Sequence, residues 1–177
     1  MIVWLFPAIK QYKTDYFYFF LVLAIAEPLV LSFLFIWKLT PQITAPFFLL
    51  FLAGSLRPKK LLRLPFALIF LFIFVWFIKE SNNALHLTAT VGHLIVFMMI
   101  ISRLIDQLNK RQLLSGFLVL LSIYELINVL KVLIVVTDLL HGSTQFYIAS
   151  FFQILFGLLF SFISIKSSRL DFKLVKD

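Results

Sequence analysis

Apolar residues fill this chain in six long stretches, and polar residues gather in the gaps between them. The stretches predict helices at roughly 16–37, 42–56, 62–78, 86–105, 112–136 and 144–165. Crossing a hydrocarbon core of about 30 Å takes about 20 apolar residues, and most of these segments comply. The segment 42–56 is the short one: Lys38 and Arg57 bracket it, and Pro41 and Pro46 occupy its first turns. A re-entrant loop there would put Arg57, Lys59, Lys60 and Arg63 on the far side and reverse the charge bias downstream, so a short crossing is expected.

Basic residues sharpen the pattern. Lys10 and Lys13 precede the first stretch, and Arg57, Lys59, Lys60 and Arg63 fill the second gap. The fourth gap carries Arg103, Lys110 and Arg111, and the tail carries Lys166, Arg169, Lys173 and Lys176. The alternate gaps hold only Lys38 and Lys79, so thirteen basic residues stand against two, with Lys131 inside a stretch. The positive-inside rule then predicts an all-α, polytopic transmembrane bundle of about six spans with both termini cytoplasmic. Trp37, Trp76, Tyr12, Tyr16, Tyr18 and Tyr147 fall at the predicted interfaces, and only Tyr124 falls at mid-membrane. Met1 to Pro7 is too short to cross and is expected in the cytoplasmic interface, with Trp4 as its anchor.

Composition changes this picture little. A chain that is 62% hydrophobic, with mean hydropathy +1.05, needs lipid as its solvent. The net charge of +8 sits at helix ends on one side, which suits anionic headgroups and argues against nucleic acid as a partner. Without cysteine there is no disulfide, thiolate metal site or Cys nucleophile. Nothing long enough to link two domains interrupts residues 1–177, so a single membrane domain is expected. Lys10, Lys13 and the Ala24-Ile25-Ala26 triplet imitate a cleavable signal, but the apolar run continues past Pro28 to Trp37, as a retained span would. The compact form suggests a prokaryotic cytoplasmic membrane.

The chemistry lies in ionisable groups far from either interface. Glu27 falls at the centre of the first helix, Glu125 at the centre of the fifth, and His93 near the centre of the fourth. Asn128 and Lys131 continue the face of Glu125, with Lys131 about 9 Å further along the axis. A central charge costs about 2.5–3.5 kcal/mol, which the apolar residues of the same helix offset at roughly 0.3–0.6 kcal/mol each. Insertion is thereby explained, while the retention of the charges is not. Glu27, His93, Glu125, Asn128 and Lys131 therefore form a candidate proton or cation site, set against the plainer reading of a polar seam between helices. Pro28 frees the carbonyl of Ala24 beside Glu27.

Small residues mark expected packing seams: Thr88 and Gly92 in the fourth helix, and Ser150, Gln153, Gly157, Ser161 and Ser164 in the sixth. His86 and His93 stand two turns apart, about 10 Å, too far to share one ion, and no metal or haem is expected. Asp138 and His141 read as a solvated outer turn. Ser115-Gly116 resembles the end of a GxSG motif, but position 113 is Leu and the serine lies near the cytoplasmic end. Cofactors are not expected, and the balance leans away from an enzyme.

Three function classes fit. The leading one is a noncatalytic membrane module (subunit, scaffold or sensor-like anchor) acting through a membrane protein partner or a second copy of itself. Next comes a small proton- or cation-coupled transporter using the midplane Glu and His. The third is an intramembrane enzyme acting on lipid.

Overall fold

The structure is a computed structural model, and it describes residues 2–56, 64–137, 142–165 and 171–173. The chain is all-α apart from one short strand pair. A 3-10 turn, Ile2–Trp4, leads into α1 (Leu5–Lys10), followed by α2 (Phe17–Trp37), α3 (Pro41–Leu56) and α4 (Leu64–Ile78). Then come α5 (Asn82–Arg111), β1 (Leu113–Ser115), α6 (Gly116–Thr137), α7 (Gly142–Phe162) and β2 (Asp171–Lys173). Among the described residues α2, α5 and α6 are long and apolar enough to cross a membrane, the mark of an integral membrane protein. Pro41–Leu56, Ala67–Ile78 and Phe151–Phe162 are shorter apolar helices. The basic residues at 57, 59, 60, 63, 166, 169 and 176, the Asp138–His141 turn and the side chain of Ser150 lie outside the described residues.

Local chemistry sets the helix ends. Lys38 closes α2 in the left-handed region, at φ 55°, and the amide of Leu39 reaches back to the Phe33 carbonyl. Two residues later Pro41 opens α3, where a missing amide hydrogen costs nothing. Ser81 caps α5 by accepting from the amide of Ala84 at 3.3 Å. Gln112 ends α5 in the left-handed region after Lys110 and Arg111, whose charges complement the negative end of the helix. At 30 residues α5 is about 45 Å long, more than a bilayer core needs. It begins before and ends after the predicted 86–105, because Ser81 and Gln112, rather than the apolar run, stop it.

Three expectations need correcting. Residues 112–115 do not open the fifth apolar helix: Leu113–Ser115 pairs antiparallel with Asp171–Lys173, and the helix starts at Gly116. The last helix likewise stops at Phe162, so Ser164 lies beyond it. Nor does Trp4 face the lipid interface. It is only 4% exposed, with its ring 6.2 Å from Phe20 and 5.1 Å from Tyr124. The segment before Lys10 turns back into the bundle because it carries its own apolar face: Trp4, Pro7 and Ala8 are all buried. Gln11, fully buried, fixes this turn by donating to the Ile163 carbonyl at 2.8 Å.

Several chain segments meet at one end of the bundle. Arg103 of α5 donates to the carbonyl of Leu56 at the end of α3, and its guanidinium lies 5.2 Å over the Tyr16 ring at the start of α2. Gln11 holds the end of α7, and β2 brings the tail to the α5–α6 turn. The core behind this end is aromatic. Phe19, Phe20, Phe117 and Phe160 are fully buried, with ring centroids 5.1 Å apart for Phe20–Phe160 and 5.5 Å apart for Phe117–Phe160. Tilted and edge-on rings at these spacings add roughly 0.5–1.5 kcal/mol per pair beyond their buried area. The most extensive helix contact is α5 with α6, then α5 with α3. Helix α4 is peripheral, touching mainly α3.

Candidate functional site: a polar cavity backed by an acid–imidazole pair

Helix spacing builds the first wall of the site. On α6, Tyr124, Asn128 and Lys131 follow one another at four and three residues and so share a face. All three line a cavity of about 410 Å³, a volume ordinary for small-molecule sites. Opposite stands α2, which contributes Glu27 among Leu23, Ala26, Val30 and Leu31. Helix α3 supplies an apolar wall of Ala45, Phe48, Leu49 and Leu52, while α5 adds His93 and α7 adds Gln153. Trp4, from the inturned N-terminal segment, completes the lining. The cavity thus has one polar face and one apolar face, with acidic, basic and amide groups drawn from four helices.

Behind the wall is the pair that makes the site unusual. Nδ1 of His93 lies 2.9 Å from Oε2 of Glu125. Glu125 is fully buried, whereas the His93 side chain keeps about a fifth of its surface exposed. Among the described residues, Oε1 of Glu125 has no hydrogen-bond partner. With the carboxyl ionised, Nδ1 carries the imidazole proton and donates to Oε2, which leaves Nε2 to accept or release a second proton. His93 lines the cavity and contacts Glu125, which does not line it.

Of the five residues singled out in the sequence, Glu27, His93, Asn128 and Lys131 line the one cavity, and Glu125 meets it through His93. Gln153, read as part of a packing stripe, turns into the same cavity. The small residues have particular neighbours. A Cβ on Gly92 would sit 2.8 Å from Cδ1 of Leu49, so Gly92 is where α5 meets α3. One on Gly157 would sit 3.0 Å from both methyl carbons of Val3, so Gly157 receives the N-terminal segment. Thr88 and Ser161 each bond a carbonyl four residues back in their own helix, Ala84 at 2.8 Å and Gly157 at 2.7 Å.

Sequence reasoning missed Trp4 and Tyr124 as lining residues. Tyr124 was legible, since it precedes Asn128 by one turn and is the tyrosine placed at mid-membrane. Trp4 carried no such signal, because a tryptophan near a basic terminus reads equally well as an interface anchor. Among the described residues no three His, Asp or Glu side chains gather as a metal ion would require.

No protein family, no curated protein and no solved structure matches this chain.

Proposed function

We propose that this chain crosses the membrane six times, with both termini cytoplasmic, and that it takes up a proton or small cation at the His93–Glu125 pair as a small coupled carrier. The observation that carries the reading is the Glu125 carboxyl: fully buried, one oxygen on an imidazole, the other without a hydrogen-bond partner among the described residues, beside a cavity lined by further ionisable groups. Ionisable groups held inside a membrane bundle are costly and mark ion or proton paths. The topology draws support from the contacts at one end. Arg103, the end of α3, the start of α2 and the tail strand meet there, and those are the parts of the chain flanked by the abundant basic residues. Compactness favours a prokaryotic cytoplasmic membrane.

The test is labelling by a hydrophobic carbodiimide, which attacks protonated carboxyls from the bilayer. Purified protein in lipid is treated across a pH series and with added monovalent cations, and the modified residue is mapped by peptide mass. Glu125 should be modified, with protection that grows with pH or cation, and His93→Ala should shift that dependence. A Glu125 that is unreactive, or that reacts independently of pH and cation, would sink the carrier reading.

A second reading has an observation of its own. The His93–Glu125 bond joins α5 to α6, the most extensive helix contact in the molecule, and a clasp at that seam is what a noncatalytic module would use to hold its shape. That reading expects flat carbodiimide labelling and a stoichiometric protein partner when the complex is extracted gently and weighed by native mass spectrometry.

A further inference from the structure

Helix α4 is held on one side only. Val75 is buried, while Ile69, Ile73 and Phe77 face outward. Between α4 and the neighbouring α2 and α3 runs a groove of about 530 Å³, walled by Leu29, Phe33, Phe47, Phe51 and Phe72. Phe72, Trp76 and Lys79 line it at four- and three-residue spacing, so a single stripe of α4 forms its edge and ends in a charge. At that mouth Nζ of Lys79 sits 3.8 Å over the Trp76 ring and 4.0 Å from Oε1 of Glu80. A cation, an anion and an aromatic face stand side by side where an apolar groove opens.

We infer that this groove holds an acyl chain of a zwitterionic phospholipid, with the phosphate on Lys79, the headgroup ammonium on Glu80 and Trp76 at the level of the glycerol. The groove walls are aromatic and aliphatic, so within a bilayer a hydrocarbon chain is the matching occupant. The headgroup assignment follows from charge. An anionic headgroup would meet Lys79 and be repelled by Glu80, whereas a headgroup carrying both signs satisfies both residues. A helix from a second copy would have to bury the two charges, which costs more than it returns. The groove shares Phe48 of α3 with the cavity, but its assignment does not rest on the carrier reading.

Native mass spectrometry of the full chain, released from mixtures containing equal phosphatidylethanolamine and phosphatidylglycerol with identical acyl chains, reads the preference directly. The ethanolamine adduct should exceed the glycerol adduct by about three-fold, the range expected of a partly solvated charge pair. Glu80→Gln, at an exposed position, should bring the ratio towards one, whereas Lys79→Gln, which removes the partner of the phosphate that both lipids share, should weaken both adducts and leave the preference in place. Ile43→Trp should fill the groove and remove both adducts. Equal adducts in the native protein, a preference that survives Glu80→Gln, or a lipid-free dimer would overturn the inference.

Discussion

Removing His93 isolates the physics of the candidate site. In the native protein the Glu125 carboxyl has His93 on one oxygen and, among the described residues, no hydrogen-bond partner on the other, and it is fully buried. His93→Leu therefore takes away the bond that Oε2 makes. Hydrogen bonds between membrane helices average only about 0.6 kcal/mol, with about 1.7 kcal/mol the upper end. Breaking a buried ion pair on one side costs more, about 3–5 kcal/mol, because the remaining charge has neither partner nor water. Reading the pair as an imidazolium–carboxylate couple predicts a loss of about 3 kcal/mol or more for His93→Leu.

Glu125→Gln separates charge from shape. It keeps the volume and an acceptor for the imidazole, so its cost should stay near 1 kcal/mol. Replacing both residues by Leu removes the orphan altogether, and the double variant should be more stable than His93→Leu alone. Reversible unfolding of the native protein, His93→Leu, Glu125→Leu and the double variant in mixed micelles, read by far-ultraviolet circular dichroism against the denaturing detergent fraction, supplies all four corners of the cycle. A coupling energy near 0.6 kcal/mol, with no recovery in the double variant, would refute the charged pair and leave an ordinary neutral hydrogen bond.

Two further variants test the architecture around the site. Trp4→Ala removes a buried ring from between Phe20 and Tyr124 and should cost about 3–5 kcal/mol in the same unfolding assay; a loss below about 1 kcal/mol would mean that the N-terminal segment does not sit in the bundle. Gly92→Val drives a branched side chain into Leu49, whose Cδ1 and Cβ would lie 2.8 and 3.1 Å from the new Cβ, and should cost about 1–3 kcal/mol, whereas a neutral result would place α3 further from α5.

Much of the helical architecture was legible because lipid leaves a coarse mark on sequence. Apolar runs bounded by charges placed the helices α2 to α7 to within a few residues, except where polar capping residues, rather than hydropathy, decide the stop. Ser81 and Gln112 extend α5 well past its apolar run, since a helix continues into water as long as its caps allow. The strand pair at Leu113–Ser115 was illegible, because Leu-Leu-Ser ahead of an apolar helix reads as part of that helix, and only the distant Asp171–Lys173 draws it into an extended form. The inturned N-terminus was hidden for a similar reason. Two of its contacts, Val3 on Gly157 and Gln11 on Ile163, join residues more than 150 positions apart. The residues of the candidate site fared better, since ionisable groups stand out against apolar runs. The layering did not: nothing in the spacing says that His93 lines the cavity while Glu125 lies behind it.

The arrangement divides the molecule in a way that bears on the proposed activity. The acid–imidazole pair spans α5 and α6, the two helices in most extensive contact. The facing wall is built from α2 and α3, and each carries an internal proline, Pro28 and Pro46. A proline inside a helix removes one backbone bond and permits bending there, and Pro28 directly follows Glu27, the carboxyl that wall brings to the cavity. Helix α4, beyond α3, is held to the bundle mainly through α3 and adds little resistance. A carrier needs a site whose own atoms stay fixed while one side of it opens. Here Glu27 comes to the cavity on a helix with a proline directly after it, while His93, Asn128 and Lys131 come from the two helices in most extensive contact. A pure scaffold has no use for that asymmetry, because a clasp between α5 and α6 would hold equally well with no cavity beside it.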